Sequence, residues 1–215
     1  MKLFNPDSPL MSFLTRIADL IILNLLWLVC CVPVVTIGAS TTAMYHVVRH
    51  LQEGGVTSVT RDFFHSFKSD FKQATLVYLV LLIPTIAVVM NAGILSSQNS
   101  DIIPVYVRAI WMVSVLILTF VVSYAYPVMA YFDNTVRKTL RTAAVLAIAK
   151  LPRTILISAL NLLPVIGLPF FLQSSIFWLM IGGSLVSYLN MLILKPVFKQ
   201  LMPEEPDAES SDSDE

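Results

Sequence analysis

Apolar residues gather along this chain into five runs, at residues 12–32, 74–95, 103–131, 154–171 and 174–194. A helix needs ~20 predominantly apolar residues to cross a bilayer. The pattern therefore predicts an all-α polytopic membrane helix bundle of about five transmembrane helices. The third run would rise ~45 Å at 1.5 Å per residue, more than the ~30 Å hydrocarbon core. It has to tilt or protrude, and Pro127 marks a bend. Pro84 sits inside the second run, and Pro164, Gly167 and Pro169 interrupt the fourth. Residues 154–194 read equally as two full spans or as a re-entrant pair.

Two connections between the runs carry a helical period. In "SVTRDFFHSFKSDFKQATL", Phe63, Phe67 and Phe71 recur every four residues with Phe64 beside them, and Arg61, Asp62, Lys68 and Lys72 lie largely off that stripe. This predicts an amphipathic cytoplasmic helix in the headgroup plane, with Phe63, Phe64, Phe67, Phe71, Lys68 and Lys72 on the membrane surface. In "NTVRKTLRTAAVLAIAKLPRTI", Val136, Leu140 and Ala144 form a narrower stripe opposite Arg137, Lys138 and Arg141. Those three basic residues are assigned the same surface role. Asn134 or Thr135 would cap the start of this helix, and Pro152 would turn the chain into the fourth span. Each surface helix precedes two spans. That layout fits a weak parallel repeat of the kind some transporters have, and equally any polytopic protein with cytoplasmic helices.

Composition supports the membrane assignment. Of 215 residues, 56% are hydrophobic and 13% charged, with a mean hydropathy of +0.77, whereas soluble domains are about a quarter charged. Formal net charge is zero, but half of the acidic residues lie in the tail "PEEPDAESSDSDE". The chain thus divides into a single transmembrane helical domain, 1–202, and an acidic disordered tail, 203–215. The remaining body is basic, which suits anionic lipid headgroups rather than nucleic acid.

Basic residues also set orientation. Arg49, Arg61, Lys68 and Lys72 fall in one connection, and Arg137, Lys138, Arg141, Lys150 and Arg153 in another, while residues 96–101 and 168–175 carry none. Five spans with both basic connections inside require the N-terminus outside and the C-terminus in the cytoplasm. Arg16, Asp19 and Asn24 interrupt the first run, which argues against a cleavable signal peptide.

Charges within spans are costly and mark candidate sites. Arg16 and Asp19 stand three apart on one helical face and can pair. In the five-span arrangement Arg108 enters from the same side to a similar depth. The three form either an outward site for an anionic or hydroxyl-rich ligand, or an ion-pair clamp beside a snorkelling arginine. Asn24, Asn91, Asn161 and Asn190 place one amide in each of four spans, as packing contacts. Asn161 is the exception to watch, because nearby Pro164 frees a carbonyl. His46 and His50 have a metal-binding spacing but lack a third ligand, and fit a wet interfacial face. Cys30 and Cys31 read as small buried hydrophobes. No catalytic residue, metal or cofactor is expected.

The stretch "PVVTIGASTTAMY", residues 33–45, follows the first run. Pro33 ends that helix and Gly38 gives the backbone freedom to turn. Thr36, Ser40 or Thr41 would cap a new helix, on which Ala39 and Ala43 present a small face to a neighbour. Capping uses one hydroxyl, not four. The alternative is a binding loop in which Thr36, Gly38, Ser40, Thr41 and Thr42 offer amides and hydroxyls to an anion or a sugar.

"FLTRIADLIILNLLWLVCCVPVVTIGASTTAMY", "RDFFHSFKSDFKQAT", "LPRTI" and "LKPVFKQLMP" together resemble the YesL-type bacterial membrane proteins over most of residues 1–202. The first block, with its Arg–Asp pair, asparagine and P-x-x-T-I-G-A turn in order, is the most specific. The resemblance implies an integral protein of the bacterial cytoplasmic membrane, of a kind often encoded beside carbohydrate ABC-transport and glycoside-hydrolase genes. It implies no catalytic residues. The function expected on this basis is a non-enzymatic accessory to ABC-type carbohydrate uptake, touching membrane lipids and either permease subunits or a second copy of itself. A small secondary transporter or channel is one alternative, and a lipid-binding or membrane-organising protein is another.

Overall fold

The computed structural model describes residues 9–55, 58–95, 104–132, 135–170 and 175–201. All regular structure among them is helical: α1 (Pro9–Cys31), α2 (Ile37–Glu53), α3 (Val59–Leu95), α4 (Val105–Tyr131), α5 (Val136–Ala149), α6 (Leu151–Phe170) and α7 (Ser175–Leu201), with a 3₁₀ turn at Val34–Thr36 before α2. The expected all-α polytopic bundle is the fold. Among the described residues, α1, α3, α4 and α7 are each long and apolar enough to cross a membrane, and the bent pair α5–α6 supplies a fifth candidate. Their outer faces carry apolar side chains such as Ile83, Val89, Ile110 and Met112, a lipid-facing belt. The acidic tail lies outside the described residues.

The turn at Pro33 folds the chain back on itself. Proline has no N–H to give the preceding turn, and the Thr36 hydroxyl takes over, donating to the carbonyls of Cys30 (2.6 Å) and Pro33 (2.7 Å). Thr36 occupies the N-cap position of α2 without making a cap bond. Its hydroxyl closes the end of α1 instead, which corrects the capping role expected for it. The reversal is sharp enough for Trp27 Nε1 to donate to Thr41 Oγ1 (3.2 Å), fourteen residues on. Gly54, at φ 77°, ends α2 in the left-handed conformation that glycine adopts without strain.

Helix α2 is the axis of the bundle. Val47 and Val48 are fully buried, as are Ser40 and Thr42, and α1, α3, α4 and α7 all pack on it. Gly38 meets α3 at Ala74 and Tyr78, while His46 pairs with Asp70 further down, so α2 and α3 are antiparallel. Met44 meets Ser187 and Tyr45 meets Asn190, and Lys195 reaches the Gln52 carbonyl, so α2 and α7 are parallel. The start of α1 and the end of α7 therefore lie at the same end of the bundle. This departs from the expected opposite termini. The cause is α2: the helix expected after Pro33 runs the length of the bundle, although its hydroxyls and histidines keep it out of the count of apolar runs.

The phenylalanine stripe is also placed differently. Residues 59–73 are not a separate surface helix but the first part of α3, which continues unbroken through Pro84. Phe63 is fully buried in the core, and Phe67 and Phe71 pack against that core; of the four, only Phe64 is exposed. Phe63, Phe67 and Phe71 are thus protein contacts rather than membrane-surface contacts. An apolar face was available next to α2, and burial there satisfies the stripe. Lys68, Lys72, Arg137, Lys138 and Arg141 are exposed.

The second connection keeps more of its expected form. Helix α5 is short, and the chain bends by 108° between it and α6. Thr135 stands at its N-cap without a side-chain bond, and Asn134 lies outside the described residues. The elbow is clasped by Thr154, whose hydroxyl contacts the carbonyls of Ala147 (2.9 Å) and Lys150 (3.1 Å) and the Tyr124 hydroxyl (3.0 Å). The backbone of α6 is helical throughout Leu151–Phe170.

Candidate functional site

The candidate ligand residues do not converge. Arg16 is exposed near the start of α1 and Asp19 is half-buried. Arg108 begins α4, at the opposite end of the bundle from Arg16. The expected cluster of Arg16, Asp19 and Arg108 is therefore not assembled, because α1 runs the other way from the five-span reading.

The hydroxyl-rich stretch is similarly dispersed. A Cβ on Gly38 would lie 2.5 Å from Tyr78 Cβ and 2.7 Å from the Ala74 carbonyl oxygen, so the glycine allows α2 and α3 to touch. The backbone there is closed by protein and open to no ligand. Ser40 is buried, and Thr42 donates towards Met129 Sδ (3.8 Å) in α4. Of the expected set, Thr41 lines a cavity.

That cavity, of about 670 Å³ at the centre of the bundle, is within the ~300–1,000 Å³ of small-molecule sites. Six helices line it. Asn24 and Trp27 come from α1, Thr41, Met44 and Tyr45 from α2, and Thr85 from α3. Helix α4 adds Thr119, Val122, Ser123 and Tyr126, α6 adds Asn161, and α7 adds Gly183 and Ser187. Among the described residues, no charged side chain lines the cavity. Pro33 and Gly38 bring Trp27 and Thr41 together, and Gly183 lets α7 approach α1, since a Cβ there would meet Asn24 Oδ1 at 2.8 Å.

Most of the polar lining is already bonded to protein. The hydroxyls of Thr85, Thr119 and Ser123 donate to carbonyls one turn back in their own helices (2.7–2.8 Å). Asn24 Oδ1 accepts the Ser184 backbone N–H at 3.0 Å. A chain of amides then crosses the bundle. Asn161 Nδ2 donates to Ser123 Oγ (3.1 Å), and Asn190 Nδ2 reaches both Asn161 Oδ1 (2.7 Å) and the Tyr45 hydroxyl (3.2 Å). Four helices are tied by this ladder, in which Asn190 donates twice while its Oδ1 accepts no bond among the described residues. The Tyr126 hydroxyl, by contrast, has no hydrogen-bond partner among the described residues.

Sequence reasoning named Asn24 and Asn190 as packing amides, set Asn161 apart from them, and missed Tyr45, Tyr126, Trp27 and the hydroxyls of α4. Their signal is weak along the chain, since each is one polar or aromatic residue in an apolar helix. Among the described residues, His46 and His50 join no metal-binding group of three or more.

Comparison with known proteins places these features in context. The model of the family described as "Protein of unknown function, DUF624" matches residues 20–92, which span most of α1, the Pro33 turn, α2 and most of α3. A Bacillus subtilis (strain 168) protein, "Uncharacterized protein YesL", is 30% identical over 191 residues, covering 87% of each chain. No solved structure matches the chain.

Proposed function

The chain belongs to the YesL-type family, DUF624, and from that premise we propose that it is a non-enzymatic, membrane-embedded accessory to carbohydrate uptake of the ABC type. In this reading the central cavity holds a small uncharged ligand, and the surrounding helices contact permease subunits or a second copy of the chain. The observation that carries the reading is the lining itself: aromatic faces, hydroxyls and amides with no charge. Such a site suits hydroxyl-bearing neutral molecules, whereas a formal charge would enter it unpaired. The protein resides in the bacterial cytoplasmic membrane with both ends of the bundle's chain on the cytoplasmic side. That orientation gathers Arg61, Lys68, Lys72, Arg137, Lys138 and Arg141 on the inner surface, where anionic lipid lies. Co-purification after mild solubilisation from a native host tests the role. Recovery of a carbohydrate permease subunit is expected, and repeated recovery without any transporter component overturns the assignment.

A small secondary transporter is the second reading. It is favoured by the cavity itself, since substrate sites enclosed between helices near the middle of the bundle are a recurring transporter device. Flux of labelled sugars and glycosides into proteoliposomes distinguishes it, because an accessory alone moves none.

A further inference from the structure

The cavity's chemistry narrows the ligand further than the word carbohydrate does. A free sugar presents hydroxyls on every side, and each needs a partner once water is excluded. This cavity has few hydrogens to offer. Trp27 Nε1 is committed to Thr41, Thr41 to the Ile37 carbonyl, and the hydroxyls of Thr85, Thr119 and Ser123 to their own backbones. The Asn161 amide is engaged on both sides, by Ser123 and Asn190. What remains is the Tyr126 hydroxyl and the second N–H of Asn161, together with acceptor lone pairs on the threonines and serines. Between these lie the Trp27 and Tyr126 rings and the side chains of Leu28, Leu118, Val122 and Val186.

Resting on the reading of this cavity as the ligand site, we infer that it takes an uncharged amphiphile: an apolar body carrying a compact hydroxyl-bearing head, as in an alkyl or aryl glycoside. The apolar body fills the space against the leucines and valines and gains from leaving water. The head meets Tyr126 and the hydroxyl lone pairs, which accept its O–H groups. A neutral head is required because no lining side chain offers a counter-charge. A ligand of this kind also partitions into the bilayer and reaches a site within a helix bundle from the lipid.

The test uses the full chain in nanodiscs of zwitterionic lipid, with Trp111→Phe and Trp178→Phe leaving Trp27 as the reporter. Hexyl β-glucoside, glucose, maltose and hexanol are titrated separately below any micelle-forming concentration. Hexyl glucoside is expected to shift Trp27 emission saturably, with at least tenfold weaker responses from the other three. Filling the cavity with Val122→Phe should abolish the saturable response, and the milder Thr119→Leu should weaken it should the first variant fold poorly. Equal or tighter binding of glucose or maltose overturns the amphiphile assignment while leaving the cavity as a carbohydrate site. Equal binding of hexanol overturns it too, since the head then contributes nothing. No saturable response from any probe removes the cavity as a site, and the co-purification result still decides the accessory role independently.

Discussion

Gly38 stands against Tyr78 so closely that a methyl group on the glycine would come within 2.5 Å of the tyrosine Cβ. This contact is backbone against side-chain root, with the Ala74 carbonyl at 2.7 Å on the other side. Neither neighbour is the flexible end of a long side chain. Gly38→Ala should therefore push α2 off α3 and cost about 1–3 kcal/mol, the usual range for overpacking. Thermal unfolding of purified protein in detergent checks this. Gly93→Ala, where a Cβ meets nothing within 4 Å, serves as the control and should leave the midpoint unchanged or slightly raised.

The amide ladder is open to a double-mutant cycle. Asn161→Ala and Asn190→Ala each remove part of the chain running from Ser123 to Tyr45. Interhelical hydrogen bonds in membranes average ~0.6 kcal/mol and reach ~1.7. The coupling between the two substitutions is expected in that range, measured by denaturation in mixed micelles. Additive effects would mean that the two amides do not act on each other.

Arg49 is a clamp between α2 and α4. Its Nη1 donates to the Ala130 carbonyl at 3.1 Å, its guanidinium lies 5.2 Å from the Tyr131 ring centre, and Nε faces Glu53 at 3.7 Å. A lysine keeps the charge and loses the planar fork. Arg49→Lys is expected to destabilise by about 1 kcal/mol, of which little comes from the exposed Glu53 pair. Glu53→Gln should then be nearly neutral in the same unfolding assay.

Neighbouring phenylalanines should behave in opposite ways. Phe63 is fully buried whereas Phe64 is 41% exposed. Phe63→Ala is expected to cost about 3–5 kcal/mol, as for other buried aromatic truncations. Phe64→Ala should leave folding nearly intact. Equal tolerance of both would return the stripe to the membrane surface.

Sidedness can be read by cysteine labelling in a background with Cys30 and Cys31 replaced. A cysteine placed ahead of α1 should label from the same compartment as one at Lys138, and from the opposite compartment to one at Ser97. Labelling of the first two from different sides would contradict the helix directions described above.

The long helices were legible because hydropathy alone marks them: α1, α3, α4 and α7 are each an apolar run of sufficient length. Helix α2 was legible as a helix after Pro33 but not as a buried one that traverses the bundle. It buries Ser40 and Thr42 among alanines and valines, and a pattern built on apolar residues counts such positions as surface. The Phe63–Phe71 period correctly announced an amphipathic face, but a period identifies a face without saying what covers it. Lipid and α2 were equally compatible with the same stripe. The cavity was the least legible feature. Its lining runs from Asn24 to Ser187 on six helices, and no local spacing links residues that meet only after α1 has reversed and α7 has crossed it. Thr41 was named for the hydroxyl it shares with three neighbours, and only the fold separates it from them.

Helix α3 has 37 residues, a continuous rod of roughly 55 Å at 1.5 Å per residue. The hydrocarbon layer takes up only ~30 Å of that, so α3 is longer than a simple span requires. Thr85, at the cavity wall, and Asp70, bound to His46, ride on the same rod. The α2–α3 ion pair and one wall of the chamber therefore share a single element, fifteen residues or roughly 22 Å apart along its axis.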